Sequence, residues 1–195
     1  MNIFRLYGIK YTRMDLIASE LHISKQTLYE CFPSKEALLF HCIIFELEKM
    51  KRDFSELETD SATYLELIVR MDNLFLSHAC SFCPAFYEDL KVKRNAMKMI
   101  DEKVKSWVDL SFLDIFRKAV GEGSLMPNAN AQFVLSFLEN NILSFSSKGQ
   151  PLDDENKKLH RYTTLTYLNG ICTDYGRSII KILESEGNNE SYIKN

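Results

Sequence analysis

The stretch that decides the fold reads TRMDLIASELHISKQTLYECFPSKEALL and covers residues 12–39. It predicts three short helices separated by tight turns, because each helix has its own start signal. Thr12 stands three residues before Asp15, which is the spacing of a capping box. Ser24 and Ser34 are favourable N-cap residues for the second and third helices. Two helices joined by a short turn, the second with polar side chains outward, form the helix-turn-helix pattern that reads a major groove.

The second helix of this motif is expected to turn Leu28 and Phe32 towards a small core and its polar side chains outward. A glutamine amide can pair with adenine through both of its ends, and a threonine can bond a base edge or touch a thymine methyl group. We therefore predict that Gln26 and Thr27, together with Lys25, read bases. The alternative is an ordinary solvated helix face.

This stretch resembles the DNA-binding domain of the TetR family of bacterial transcriptional regulators, most specifically over residues 24–36 (SKQTLYECFPSKE). The resemblance implies that Tyr29 and Lys35 bind backbone phosphates and that Thr12 and Arg13 flank the same groove. Phosphate contacts position such a head on DNA, whereas base contacts specify the sequence. The predicted DNA-contacting set is Thr12, Arg13, Ser24, Lys25, Gln26, Thr27, Tyr29 and Lys35.

The resemblance also implies an all-α protein of about nine to ten helices in two domains. Residues 1–40 would form the three-helix DNA-binding head, and residues 41–195 a helical ligand-binding and dimerisation body. The low counts of 7 glycines and 4 prolines favour long helices over a turn-rich β fold. The match starts near residue 3, part-way through the first helix of the family. A DNA-silent helical dimer or ligand-binding module with a truncated first helix is therefore the alternative.

Charge is distributed unevenly along the chain. Residues 1–35 contain five basic and three acidic side chains, a net of +2, whereas the whole chain carries −3. A mildly basic head on an acidic body suits a protein that touches phosphates at one end only. No 18-residue apolar window indicates a membrane span, no signal peptide is evident, and five scattered cysteines fit a reducing compartment. We therefore expect a cytoplasmic protein without a membrane partner.

The helices expected between about residues 62 and 120 are where this family holds its effector. Their aromatic and methionine side chains indicate either ordinary core or a pocket for a small, largely apolar effector. The candidate pocket residues are Phe75, His78, Phe82, Phe86, Tyr87, Met97, Trp107, Phe112 and Phe116.

The C-terminal helices, about residues 131–147 and 157–184, are the predicted dimer surface. The first of them is apolar on more than one face, which predicts burial on both sides. The resemblance implies that these helices pair two copies of the chain, so that two heads read a pseudo-palindromic double-stranded operator. A purely intramolecular core is the alternative. The candidate interface residues are Phe133, Phe137, Leu138, Ile142, Phe145, Leu165 and Leu168.

The segment HACSFC, residues 78–83, combines His78 with Cys80 and Cys83 and could bind a metal or sense oxidation. A structural zinc site needs four ligands, however, and no second Cys pair is present, so loop cysteines without such a role are the other interpretation. No Gly-rich phosphate loop, zinc-protease motif or nucleophile elbow is present. We therefore predict no cofactor, no metal and no enzymatic activity. The predicted function is a sequence-specific repressor that an effector releases from its operator.

Overall fold

A computed structural model describes residues 1–92, 94–146 and 153–189, and the side chains of residues 1–90, 105–146 and 153–185 among them. The described residues form ten helices, which confirms the all-α prediction. The helices are α1 (Asn2–Tyr11), α2 (Met14–Glu20), α3 (Lys25–Cys31), α4 (Lys35–Asp60), α5 (Tyr64–Cys80), α6 (Pro84–Val92), α7 (Arg94–Gly121), α8 (Ala131–Ser146), α9 (Asp154–Asn169) and α10 (Asp174–Asn189).

Helices α1 to α4 pack around a small core at the N-terminal end. Two predicted caps determine where α3 and α4 begin. The Ser24 hydroxyl accepts a hydrogen bond from the Thr27 N–H at 3.0 Å and starts α3. The Ser34 hydroxyl accepts one from the Ala37 N–H at 3.1 Å and starts α4. Both caps are confirmed. The buried members of this head core are Phe4, Ile9, Met14, Ile17, Ala18, Leu28, Leu38, Leu39 and Phe86.

The predicted capping box at Thr12 is wrong. The N-cap residue of α2 is Arg13, and it makes no side-chain cap bond. Thr12 is fully buried instead, and its hydroxyl donates to the Gly8 carbonyl at 2.6 Å. The cause lies one turn earlier, where α1 is kinked at Gly8 (φ 74°, ψ −178°). Thr12 therefore closes the end of α1 and does not open α2.

The long helix α4 belongs to two cores. Its first turns bury Leu39 in the head core, and its later turns bury Phe54 in a larger core that the body helices build. Its 26 residues correspond to about 39 Å of helix. The predicted domain boundary at residue 40 falls inside this helix and stays a prediction. The head and the body share α4 as one continuous rod.

Helix α6 docks on α1 and so provides a second link between the body and the head. The Cys83 N–H, just before α6, donates to the Arg5 carbonyl at 2.9 Å. The Asp89 carboxylate accepts from the Lys10 N–H at 2.6 Å. Phe86, between these two anchors, is buried in the head core. Any displacement of α6 must therefore act directly on α1.

A buried polar cluster ties α5 to α8 and α9. Asp72, His160 and Thr164 are at most 2% exposed. The Thr164 hydroxyl lies 2.8 Å from Asp72 Oδ2, to which it donates, and 3.2 Å from the Asn141 amide nitrogen. His160 Nε2 lies 3.5 Å from Asp72 Oδ2, and within the described part of the chain neither imidazole nitrogen makes a hydrogen bond.

Burial shifts the pKa values of Asp72 and His160, since a low-dielectric environment disfavours charged forms. It raises the pKa of the Asp72 carboxyl to about 7, although the Thr164 hydrogen bond opposes the rise. It lowers the pKa of His160 to about 4. In the folded protomer the carboxyl group, and not the imidazole, is therefore the better site for a proton.

Candidate DNA interface

An open groove of about 460 Å³ lies between the α1–α2 turn, α3 and the start of α4. Five members of the predicted DNA-contacting set line it: Thr12, Arg13, Lys25, Tyr29 and Lys35. The Lys25 ammonium, the Arg13 guanidinium and the Tyr29 hydroxyl are donors of the kind that hold phosphate oxygens. The remaining lining residues are Met14, Asp15, Pro33, Ser34 and Glu36.

The outer face of α3 lies beside this groove. Leu28 is 2% exposed and faces the head core as expected, whereas Tyr29 is 42% exposed. Gln26 and Thr27 are exposed on the same helix. The three predicted base readers and the groove thus form one continuous surface.

Each predicted base reader has a side-chain partner on the head itself. The Thr27 hydroxyl lies 2.8 Å from the Ser24 hydroxyl. The Gln26 amide donates to the Glu30 carboxylate at 3.0 Å, one turn further along α3. Neither partnership was predicted from the sequence, although the four-residue spacing of a glutamine and a glutamate on one helix is a recognisable signal.

The third reader, Lys25, is paired with an acid on the preceding helix. Its ammonium lies 2.6 Å from Asp15 Oδ1, and both side chains are more than half exposed. The hydrogen bond with Asp15 and the charge of that carboxylate raise the pKa of Lys25. Lys25 therefore stays charged, but a phosphate must compete with Asp15 for it.

We expect Asp15→Asn to raise the affinity for random-sequence duplex DNA, because it frees the Lys25 ammonium and removes a negative charge from the groove. The gain should be about two- to fivefold, the range expected for an exposed ion pair. Fluorescence anisotropy at several salt concentrations measures it, and the salt dependence should steepen. Glu20→Gln, which removes the same charge from the other end of α2, is the matched control. An equal gain in both variants would assign the effect to net charge alone.

Lys35 and Thr12 hold the turn between α1 and α2. The Lys35 ammonium donates to the carbonyls of Ile9 at 2.7 Å, Thr12 at 2.9 Å and Lys10 at 3.5 Å. An ammonium group has three donors, so these carbonyls can occupy all of them. The predicted DNA contact by the Thr12 side chain does not hold, because that side chain is fully buried. Both residues hold one wall of the groove, and a phosphate contact by Lys35 stays a prediction.

The predicted effector residues fall into two separate places. Trp107 packs edge-on against Phe54 at 5.6 Å between ring centroids and lies 6.2 Å from Phe75. Phe112 and Phe116 are buried in the same body core. These four candidates share one region where α4, α5 and α7 meet.

The other pocket candidates lie at the junction of α5 and α6. Phe86 is buried in the head core and Phe82 packs against it, apart from the four candidates in the body core, and their part in an effector pocket stays a prediction. Their helical spacing could not reveal which core they would join. Tyr87 donates from its hydroxyl to the Ala79 carbonyl at 2.6 Å, and His78 Nε2 lies 3.5 Å from Asp53 Oδ2. The Met97 side chain lies outside the described residues.

Four of the predicted dimer residues are covered by their own protomer. Leu138, Ile142, Leu165 and Leu168 are at most 9% exposed within one protomer, where α8 and α9 face α5 and each other. A helix that is apolar all round does not reveal which side its own chain covers. Phe137 stacks on Tyr167 at 3.8 Å and Phe145 meets the His160 ring at 5.4 Å, both half-buried, whereas Phe133 is 72% exposed.

The segment with His78, Cys80 and Cys83 shows no metal-binding arrangement. Across the side chains that the structure describes, no group of three or more His, Cys, Asp or Glu residues is placed to hold a metal ion. All five cysteines are free thiols, and burial raises the pKa of Cys80. In the same described part, no helix is both long and apolar enough to cross a bilayer.

The fold and the α2–α3 surface define a DNA-binding regulator of the helix-turn-helix class. The family model for bacterial regulatory proteins of the tetR family matches residues 1–42. Residues 1–42 are thus similar to the DNA-binding domain of this family, as the sequence predicts.

Solved structures share the fold across most of the chain. The ketosteroid transcriptional regulator KstR2 of Mycobacterium tuberculosis has 18% identity and a TM-score of 0.66, over 88% of this chain and 90% of its own. GusR of Salmonella enterica has 21% identity and a TM-score of 0.66, over 86% and 88%. The TetR regulator SCO0520 of Streptomyces coelicolor has 16% identity and a TM-score of 0.62, over 84% and 89%. A search of curated protein sequences finds no match.

Proposed function

We propose that this protein is a homodimeric repressor that binds a pseudo-palindromic double-stranded operator and is released from it by a small, largely apolar effector. The observation that carries the proposal is the continuous surface made by the groove and the outer face of α3. There, Gln26 and Thr27 would read base edges, with Lys25 beside them. Arg13 and Tyr29 would hold backbone phosphates.

Helix α1 supports a DNA-competent head over the DNA-silent alternative. It contributes Phe4 and Ile9 to the head core. Its Arg5 guanidinium pairs with Glu46 of α4 at 2.6 Å and lies 5.1 Å from the centroid of the Phe82 ring. A helix anchored by two buried side chains and a half-buried ion pair can hold α2 and α3 in place.

The test is a comparison of duplex DNAs by fluorescence anisotropy at physiological salt. The probes are duplexes enriched by the protein from a random-sequence pool, DNA from just upstream of its own gene, and a scrambled control. Tight, salt-sensitive preference for the enriched sequence supports the proposal. Equal, weak binding to all three would favour the DNA-silent module. Loss of binding when a purified small molecule is added would identify the effector.

The proposed dimer uses the outward side of α8 and α9, which we call the α8–α9 face. All its members are exposed and none is charged, which is unusual for solvent-facing helices. Two heads on a dimer can contact successive major grooves, which one small head cannot. The α8–α9 face consists of Phe133, Ser136, Asn140 and Leu143 on α8, and Leu159, Tyr162, Thr166 and Asn169 on α9.

We expect Leu143→Glu and Tyr162→Glu each to separate the dimer into monomers. A carboxylate buried without a partner in an apolar interface costs about 3 kcal/mol or more, which weakens association about a hundredfold. Sedimentation velocity measures the mass. The control is Leu110→Glu, which charges an equally exposed apolar position on α7. Dimers that persist in both α8–α9 variants would exclude this face as the interface.

Signals from effector to head have two routes in the proposed mechanism. One is α4, whose ends lie in the two cores through Leu39 and Phe54. The other is α6, which is hydrogen-bonded to α1 through Cys83 and Asp89. An effector that binds the body better when these helices are shifted favours that second state, and so changes the spacing of the two heads.

A further inference from the structure

The contact between Gln26 and Glu30 assigns a role to a residue that DNA should repel. Glu30 lies one turn after Gln26 on the exposed side of α3, and its Oε1 accepts a hydrogen bond from Gln26 Nε2 at 3.0 Å. A carboxylate on this side of the head carries the same sign of charge as the phosphates. From charge alone, Glu30 would be expected at the edge of the footprint.

The chemistry of the two groups fixes how the glutamine amide is turned. A carboxylate can only accept hydrogen bonds, so Gln26 must direct its NH₂ group towards Glu30. This leaves the Gln26 carbonyl oxygen free as an acceptor, with one N–H remaining as a donor. Adenine offers the complementary pair, an N6 amino donor and an N7 acceptor. The contact therefore selects the amide orientation with which a glutamine reads adenine.

We propose that Glu30 is a positioning residue that orients the Gln26 amide and thereby sets sequence discrimination at one base pair of each half-site. The proposal rests on the proposed DNA-binding function. Glu30 affects sequence discrimination only through Gln26, and it reduces the conformational entropy that the Gln26 side chain loses on binding. Its charge lowers the affinity for every duplex, so it favours discrimination at the expense of general affinity.

The experiment uses the full-length protein and a duplex that the wild type enriches from a random-sequence pool. Each base pair of the half-site is replaced in turn, and dissociation constants are measured by anisotropy at fixed salt. Gln26→Ala identifies the base pair that Gln26 reads. Glu30→Ala removes charge and acceptor, whereas Glu30→Gln removes the charge but keeps an acceptor. Glu20→Gln controls for the loss of one acidic charge on the head.

We expect Glu30→Ala to reduce discrimination at the base pair read by Gln26 by roughly two- to tenfold, the range between an exposed helical pair and a hydrogen bond to a charged group. Discrimination at the other base pairs should not change. Glu30→Gln should recover only part of the loss, because its amide can also donate to the Gln26 carbonyl oxygen and allow the opposite orientation. Both variants should bind all duplexes more tightly. In a Gln26→Ala background, Glu30→Ala should have no further effect on discrimination.

Three results would overturn the inference. Unchanged discrimination in Glu30→Ala would show that the contact does not orient Gln26. An equal loss in the Glu20→Gln control would assign the effect to charge. A loss that persists in the Gln26→Ala background would mean that Glu30 reads a base itself, as a carboxylate can at cytosine N4. A wild type that enriches no sequence would instead refute the proposed function, and this inference with it.

Discussion

Replacing His160 with glutamine should make the free energy of unfolding fall as the pH rises from about 4 to about 7. In that variant Asp72 remains buried, and its pKa is raised from 3.8 to about 7. The folded state then holds a proton that the unfolded state has released, so stability is highest at low pH and is lost as the pH rises. A loss of about 2–4 kcal/mol across this window follows from a shift of this size.

In Asp72→Asn, the free energy of unfolding is expected to rise with pH instead. His160 then titrates alone, and burial has lowered its pKa from 6.5 to about 4. The unfolded state binds the extra proton, so stability should rise by about 2–3 kcal/mol between pH 4 and pH 6.5. In the wild type the folded pair and the unfolded pair each hold one proton in this window. The two slopes therefore cancel.

Urea unfolding of the three proteins across this pH range measures these slopes. Every other titrating group contributes equally to the three curves, so the differences between the curves isolate Asp72 and His160. Neutralising the pair in Asp72→Asn/His160→Gln should restore the wild-type pH profile. Identical pH profiles in both single variants and the wild type would contradict the effect of burial on these two groups.

Replacing Gly8 with alanine should destabilise the head by about 2–4 kcal/mol, from backbone strain together with overpacking. Gly8 has φ 74° and ψ −178°, a conformation that only glycine adopts readily. A Cβ atom there would also lie 3.1 Å from the Ala85 Cβ and from the Asp89 carboxylate of α6. The substitution thus strains the kink of α1 and pushes it away from α6.

The matched control is Gly121→Ala at the end of α7, where a Cβ atom meets nothing within 4 Å. Hydrogen exchange should show lost protection in α1 and α6 of the Gly8→Ala protein, with the body core unchanged, and operator affinity should fall. The double variant Gly8→Ala/Ala85→Gly removes the contact with the Ala85 Cβ but keeps the backbone strain and the contact with the Asp89 carboxylate, so it should recover only part of the stability. Full protection of α1 in Gly8→Ala would show that the α1–α6 contact does not depend on this kink.

The head was predictable where the signal is local. Ser24 and Ser34 cap α3 and α4 because a hydroxyl needs only an N–H three residues ahead, and a short run of sequence contains both partners. Leu28 faces the core because helical spacing fixes its direction. Thr12 has the same local spacing, but its position is decided by the kink at Gly8. Local patterns therefore identified caps, and they failed where the preceding backbone turned.

Contacts between distant residues could not be predicted from one sequence. The bond between Lys10 and Asp89 joins residues 79 positions apart. The periodic pattern of α8 identified its apolar residues correctly. It could not distinguish Leu138, which is buried within its own chain, from Phe133, which is exposed to solvent. The buried position of Asp72 also has no sequence signal, since its partners lie on α8 and α9.

The single tryptophan gives the protein an intrinsic spectroscopic reporter. Trp107 lies between Phe54 on α4 and Phe75 on α5, so its indole senses the junction through which the proposed signal passes. Emission wavelength and quantum yield depend on the polarity and the packing around an indole. Compounds that shift α4 should therefore change the fluorescence of the unlabelled protein in the absence of DNA. Effector screening can begin before the operator is known.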